Sequence, residues 1–210
     1  MKRLKVMSLL SILNFLAVIY VTLNLPDKVP VHINIAGEID RYASRWSVPA
    51  VALVALVTTI LMRMFYNKTT TYDETEFFPF IISLFLLIIS WVPVFVANLG
   101  GGKLEPIGVM SLITVTMGAF FMVMGNFMGK IKQNRFLGVR TIRTLKSEYV
   151  WRKTHRFTGY LMVICGFIAT LSGVISYFVK NQYLALAGII LIILSSLAAI
   201  IYSYLIKDEG

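Results

Sequence analysis

One cysteine, two histidines and ten acidic residues are all that 210 positions supply of the side chains from which most catalytic and metal sites are built. The lone cysteine, Cys165, lies in an apolar run, which excludes a disulfide framework and a cysteine-based metal site. Charged residues make up only 14% of the chain, against roughly a quarter in a soluble domain. No low-complexity tail and no long polar stretch leaves room for a soluble catalytic domain. Acid and base are also missing from the middle of every apolar segment, which argues against the buried charges that coupled transporters use.

What remains is apolar. The chain is 58% hydrophobic with a mean hydropathy of +0.78. Six segments are long enough to cross a hydrocarbon core of about 30 Å: Val6–Leu23, Val48–Phe65, Phe77–Asn98, Ile107–Gly125, Phe157–Val179 and Leu184–Ile206. Backbone polar groups in lipid must find partners within their own segment, so each is expected to be a helix. The first segment has no small-x-small cleavage site and reads as an uncleaved span. Pro93 is expected to kink the third.

The net charge of +10 would suggest nucleic acid in a soluble protein. Here the cations lie between spans, so no direct nucleic-acid binding is expected. With the N-terminus inside, fifteen Lys and Arg fall on the cytoplasmic side and five outside. Nine of them crowd into Lys130–Arg156, KIKQNRFLGVRTIRTLKSEYVWRKTHR, beside a single acid, Glu148. The expected architecture is an all-α integral membrane protein of the cell membrane. It has six transmembrane helices, cytoplasmic termini, a short ordered outer loop and a cytoplasmic interfacial helix. Three regions are expected: residues 1–66 with the outer loop 24–47, a central two-span hairpin 77–125, and residues 126–210 with the basic loop 130–156.

The outer loop reads LPDKVPVHINIAGEIDRYASRW. Pro26 and Pro30 stop the first helix and favour extended backbone. Val29–Ile35 then alternates, placing His32 and Asn34 on one face, and Gly37 permits a tight turn. Asp40, Arg41 and Tyr42 follow, with Trp46 as an interfacial anchor. These residues suit either an ordered cap bonded internally or a recognition surface for an extracytoplasmic ligand. His32, Glu38 and Asp40 are weak as a metal signature, so neither metal nor cofactor is expected.

In the basic loop, Thr144 is expected to cap a helix starting at Leu145, with Glu148 pairing to Arg152 at i, i+4. Trp151 and His155 share a face by the same spacing. That helix is expected to lie at the membrane surface and lead into span five, with Lys146, Arg152, Lys153 and Arg156 reaching lipid headgroups. A topology signal needs only charge. It does not need Asn134, Gly138, Arg140, Thr141, Thr144, Trp151 and His155 at fixed places.

Both loops carry ordered motifs. Pro30, His32, Asn34, Gly37, Asp40, Arg41 and Tyr42 form P-x-H-x-N-x-x-G-x-x-D-R-Y, which resembles the domain of unknown function at the N-terminus of SdpI-type proteins. Asn134 to Gly159, N-R-F-x-G-V-R-T-x-x-T-L-x-S-E-x-V-W-x-x-T-H-R-x-x-G, resembles the core motif of the SdpI family. Together the resemblances cover roughly residues 10–65 and 120–205.

They imply an integral membrane immunity protein of a Gram-positive bacterium, not an enzyme, acting against a secreted peptide toxin. They also imply signal transduction, in which the protein sequesters a cytoplasmic autorepressor at the membrane. On that reading His32, Asn34, Gly37, Asp40, Arg41 and Tyr42 face the toxin. Asn134, Gly138, Arg140, Thr141, Thr144, Glu148, Trp151, His155 and Arg156 face the cytoplasmic partner, and membrane lipids surround both. The alternatives are a small transporter or a membrane-embedded enzyme. The latter would have to work with one histidine alone, since His32 and His155 lie on opposite sides of a bilayer.

Overall fold

A computed structural model describes the chain except Met1, Ile35, Gly37, Arg135, Phe136 and residues 70–76, 100–104 and 208–210; the side chains of Lys2 and residues 66–69 are also outside it. Gly37, expected at the outer turn, therefore lies outside the described residues. Among the described residues, six helical segments are long and apolar enough to cross a membrane, at Arg3–Leu23, Arg45–Phe65, Phe77–Leu99, Pro106–Met128, Glu148–Val179 and Gln182–Leu205. The protein is an α-helical, multi-pass protein of the cell membrane.

Two compact units divide the chain, Met1–Ile113 and Thr114–Gly210. In the first, α1 (Lys2–Leu23) leads into an antiparallel hairpin of β1 (Lys28–Ile33) and β2 (Ile39–Ser44). A 3-10 turn at Arg45–Ser47 then opens α2 (Pro49–Thr69). Valines, isoleucines and a tyrosine in the two strands suit a half-buried pleated surface, with Val29 fully buried. The register slips between Pro30 and His32 and again before Ile33.

The third span is broken in two, α3 (Phe77–Ile89) and α4 (Val92–Leu99). Pro93 has no N–H to donate, and its ring crowds the carbonyl one turn back, so the helix is interrupted at Ser90–Trp91. Asn14 of α1 fills the break. Its Nδ2 donates to Ser90 Oγ at 2.9 Å, and its Oδ1 accepts from Trp91 Nε1 at 2.8 Å. A mid-span amide thus bonds through both its nitrogen and its oxygen, as burial in hydrocarbon favours. Val18, Leu25, Val29, Val48, Ala52, Val94 and Ala97 form the core at the hairpin end. The start of α5 (Pro106–Met128) packs Val109 against Val96 and Leu99.

The second unit contains the rest of α5, then α6 (Ile142–Lys146), α7 (Glu148–Val179) and α8 (Gln182–Leu205). Its helices meet through small residues. A Cβ on Gly118 would stand 2.6 Å from the carbonyl of Gly166, and the reverse distance is also 2.6 Å. Gly125 and Gly159 are related in the same way at 2.8 Å. Gly173 and Gly188 likewise abut Thr114. The stripe of small residues is consumed by packing within the unit.

One expectation for the basic loop is corrected. Thr144 does not begin a helix. Thr141 is the N-cap of α6, and Thr144 is its N3 residue in a reciprocal capping box. Ser147, extended at φ −127° and ψ 122°, ends α6 and caps α7, its Oγ accepting from Val150 N–H. Arg152 to Arg156 lie on the first turns of α7, which runs on into the fifth span without a break, as expected of a helix leading into that span.

Candidate functional site

At the outer hairpin, β1 and β2 bring His32 and Asp40 together, eight residues apart in sequence. His32 Nδ1 lies 2.6 Å from Asp40 Oδ1. A carboxylate only accepts, so Nδ1 carries the proton. This bond, with smaller electrostatic help from His32 and Arg41, holds the Asp40 carboxyl below its ordinary range. Asn34 joins a different group. Its backbone N–H donates to Glu38 C=O at 2.8 Å, and its Oδ1 accepts from Glu38 N–H at 2.9 Å. Its Nδ2 donates to Glu38 Oε2 at 3.2 Å. Asn34 is a turn-closing residue, and the His32–Asp40 pair sits one step away with both side chains about half exposed. Arg41 and Tyr42 project outward and are exposed.

The hairpin is anchored by a residue that sequence reasoning counted only as an outer cation. Arg45 donates to the carbonyls of Leu23 (3.3 Å) and Leu25 (2.7 Å), and pairs with Asp27 at 2.9 Å. A cation at the C-terminal end of α1 satisfies orphan carbonyls and complements the helix dipole.

The basic loop is a knot of hydrogen bonds around the start of α7. Trp151 is fully buried and donates from Nε1 to the Ile131 carbonyl at 2.7 Å. One turn on, His155 is 1% exposed and stacks on the indole, centroids 4.0 Å apart and planes 19° off parallel. His155 Nδ1 lies 2.9 Å from the Trp151 carbonyl, and Nε2 accepts from Val139 N–H at 3.1 Å. One nitrogen donating and one accepting defines a neutral imidazole protonated on Nδ1. Gly138, at φ +106°, meets the ring edge-on; a Cβ there would be 2.1 Å from Nε2 and 3.1 Å from both Cδ2 and Cε1.

Thr144, fully buried, completes the knot. Its hydroxyl accepts from Thr141 N–H at 2.9 Å and donates to the Val139 carbonyl at 2.8 Å. Val139 is therefore held through its N–H by His155 and through its C=O by Thr144. Thr141 Oγ accepts from Thr144 N–H at 3.2 Å and lies 3.0 Å from Ser203 Oγ on α8. Asn134 shapes the entry, accepting from Leu137 N–H at 2.7 Å and donating to Lys132 C=O at 2.9 Å.

Three participants were missed from sequence. Gln133 donates to Thr144 C=O at 2.7 Å, and Arg143 donates to the carbonyls of Tyr204 and Ile206, at 2.6 Å for the latter. Ser203 is the third. Arg143 caps the C-terminal end of α8, but by composition it is one of nine equivalent cations.

The nine residues assigned to a cytoplasmic partner thus fall into two groups. Thr141, Thr144, Trp151 and His155 are buried, while Arg140, Glu148 and Arg156 are exposed. Gly138 and Asn134 shape the backbone between them. The Glu148–Arg152 pair forms as the spacing implied, at 3.4 Å, but both groups are about two-thirds exposed and the bond adds little.

Comparison with known proteins agrees with these two ordered regions. Residues 130–204 match the SdpI/YfhL protein family, taking in the knot, α7 and nearly all of α8. Residues 9–60 match a domain of unknown function, DUF1648, which takes in the hairpin. The chain is similar to the immunity protein SdpI of Bacillus subtilis (strain 168), with 27% identity over 207 residues. That alignment spans 97% of this chain and 95% of the relative. No solved structure matches the chain significantly.

Proposed function

We propose that this chain, a member of the SdpI family, is a multi-pass immunity protein that protects the cell producing it against a secreted peptide toxin. The observation that carries the proposal is the end-to-end likeness to an immunity protein, with neither chain extending far beyond the other.

The outer hairpin is the surface we assign to the toxin. His32 and Asp40 form a polar, half-exposed pair beside the outward-facing Arg41 and Tyr42. Together they offer charge of both signs and an aromatic face to an extended peptide. The basic loop is the surface we assign to a cytoplasmic autorepressor. Its contacts would come from Arg140, Glu148 and Arg156, presented on a backbone that Thr141, Thr144, Trp151 and His155 hold in one shape. No catalytic role is assigned to either histidine.

Expression in a toxin-sensitive strain, with survival scored at equal membrane levels, tests the proposal. Protection is expected from the wild type and not from His32→Ala or Asp40→Ala. Failure of the wild-type chain to protect, though inserted, would overturn the immunity reading. Recruitment of a tagged repressor to the membrane, lost in Arg140→Ala/Arg156→Ala, tests the signalling half separately.

A further inference from the structure

The exposed face of α7 changes character along its length. Arg152, Lys153 and Arg156 lead, exposed Tyr160 follows one turn later, and then Ile164, Phe167, Ile168 and Leu171 are exposed in succession. Cation, aromatic ring, aliphatic chain is the order of depth from headgroup to acyl core. Length says the same. Thirty-two residues make a helix of about 48 Å, and about 30 Å of hydrocarbon takes only about twenty of them. The first turns of α7 therefore lie at headgroup depth, not in open cytosol.

Helix α6 is held at that level. Arg143 ties it to the Tyr204 and Ile206 carbonyls at the end of α8, and Thr141 reaches Ser203. With Thr141 and Thr144 turned inward, the outward face presents Ile142, 66% exposed, and Leu145, 43% exposed. Two exposed aliphatic side chains beside the exposed Arg140 and Lys146 are the two halves of a monotopic membrane contact.

We infer that the outward face of α6 and the first two turns of α7 form one binding surface for anionic phospholipid headgroups of the cytoplasmic leaflet. Ile142 and Leu145 enter the acyl boundary, while Lys146, Arg152 and Lys153 meet lipid phosphates and leave Arg140 and Arg156 to the cytoplasmic partner. Glu148 is the one acid among the described residues of this surface, and it is paired with Arg152. Charge complementarity therefore selects an anionic lipid over a zwitterionic one. This inference does not depend on the immunity reading.

The test is competition between equal amounts of phosphatidylglycerol and phosphatidylcholine for the purified full chain in neutral detergent, with bound lipid counted by native mass spectrometry. A clear excess of phosphatidylglycerol is expected. Each cation near the surface contributes about fivefold, so Lys146→Gln/Arg152→Gln/Lys153→Gln should cut the preference by at least about tenfold. A nitroxide attached through Leu145→Cys, with Cys165→Ser, should report burial below the headgroups in anionic vesicles.

Equal retention of the two lipids by the wild type would overturn the inference. So would an undiminished preference in the triple variant, or a water-exposed nitroxide at position 145. Capture of an acidic protein without any lipid preference would assign the surface to that partner instead.

Discussion

Gly138 lies so close to the Nε2 edge of His155 that a Cβ at that position would stand 2.1 Å from this nitrogen, which already accepts the Val139 N–H at 3.1 Å. The glycine is needed twice, once for its φ of +106° and once for the room it leaves at the Nε2 edge of the imidazole. The motif positions in this loop are therefore tied together by internal structure. A partner that reads the loop reads the shape that these residues impose, through the side chains they leave outside.

Gly138→Ala should consequently disturb the loop without disturbing the spans. The backbone strain and the clash with a stacked ring together should cost at least about 2 kcal/mol. Limited proteolysis should find residues 130–147 newly accessible, while the thermal transition of the helices in detergent shifts little. A wild-type digestion pattern would mean that the ring moves aside freely, and the knot would then not be the rigid element described.

His155→Phe and Thr144→Val separate packing from hydrogen bonding. Phenylalanine keeps the stack on Trp151 but leaves the Val139 N–H without its acceptor. Valine keeps the volume of Thr144 but leaves the Val139 carbonyl and the Thr141 N–H without their partner. Each should cost about 1–3 kcal/mol of loop stability, the penalty for a buried polar group left unpaired. Thr144→Ser should recover most of the loss. Hydrogen exchange at the Val139 and Thr141 amides is the direct readout, and equal protection in the valine and serine variants would sink the assignment.

The spans were legible in the sequence because twenty apolar residues in a row admit few structures in lipid. Their ends were less so. Thr141, Thr144 and Ser147 recur every three residues, and any of them is a competent N-cap. Propensity cannot choose among them; the choice is made by Ser203 and Val139, which come from elsewhere in the chain. The Trp151–His155 face followed from helical spacing alone. That both are buried did not, because nine cations nearby make the whole segment look solvated. Arg143 and Arg45 stayed hidden for the same reason, since a capping arginine and a topology arginine are identical in composition.

Close approach of α5 and α7 gives a prediction about the membrane part. Gly166→Val would drive side-chain atoms into the Gly118 carbonyl, from which even a Cβ would be only 2.6 Å away. Overpacking at a backbone contact should cost about 1–3 kcal/mol or more and lower the temperature of aggregation in detergent. Substituting Gly129, where a Cβ would meet only Arg156 at 3.6 Å, should be tolerated. If both glycines prove equally tolerant, the helices do not meet as closely as described.

The His32–Asp40 pair sets the acid limit of the outer hairpin. The Asp40 carboxyl is held below its ordinary value of 3.8, chiefly by the hydrogen bond from His32. A depressed carboxyl contributes stability that is fully present above its unfolded value. The contribution falls away as pH drops through the lower folded value. The hairpin should therefore keep its shape from neutral pH down to about 4 and loosen only below that. Both groups are half exposed, so the step should be shallow, and Asp40→Asn should remove it. Amide exchange along Ile39–Ser44, followed from pH 6 to pH 3, should show protection falling in the wild type. In Asp40→Asn it should be lower throughout and flat. A wild-type profile equally flat over that range would mean that the pair does not hold the strands. The loss of protection proposed for Asp40→Ala would then have to come from direct contact with the toxin rather than from a disordered hairpin.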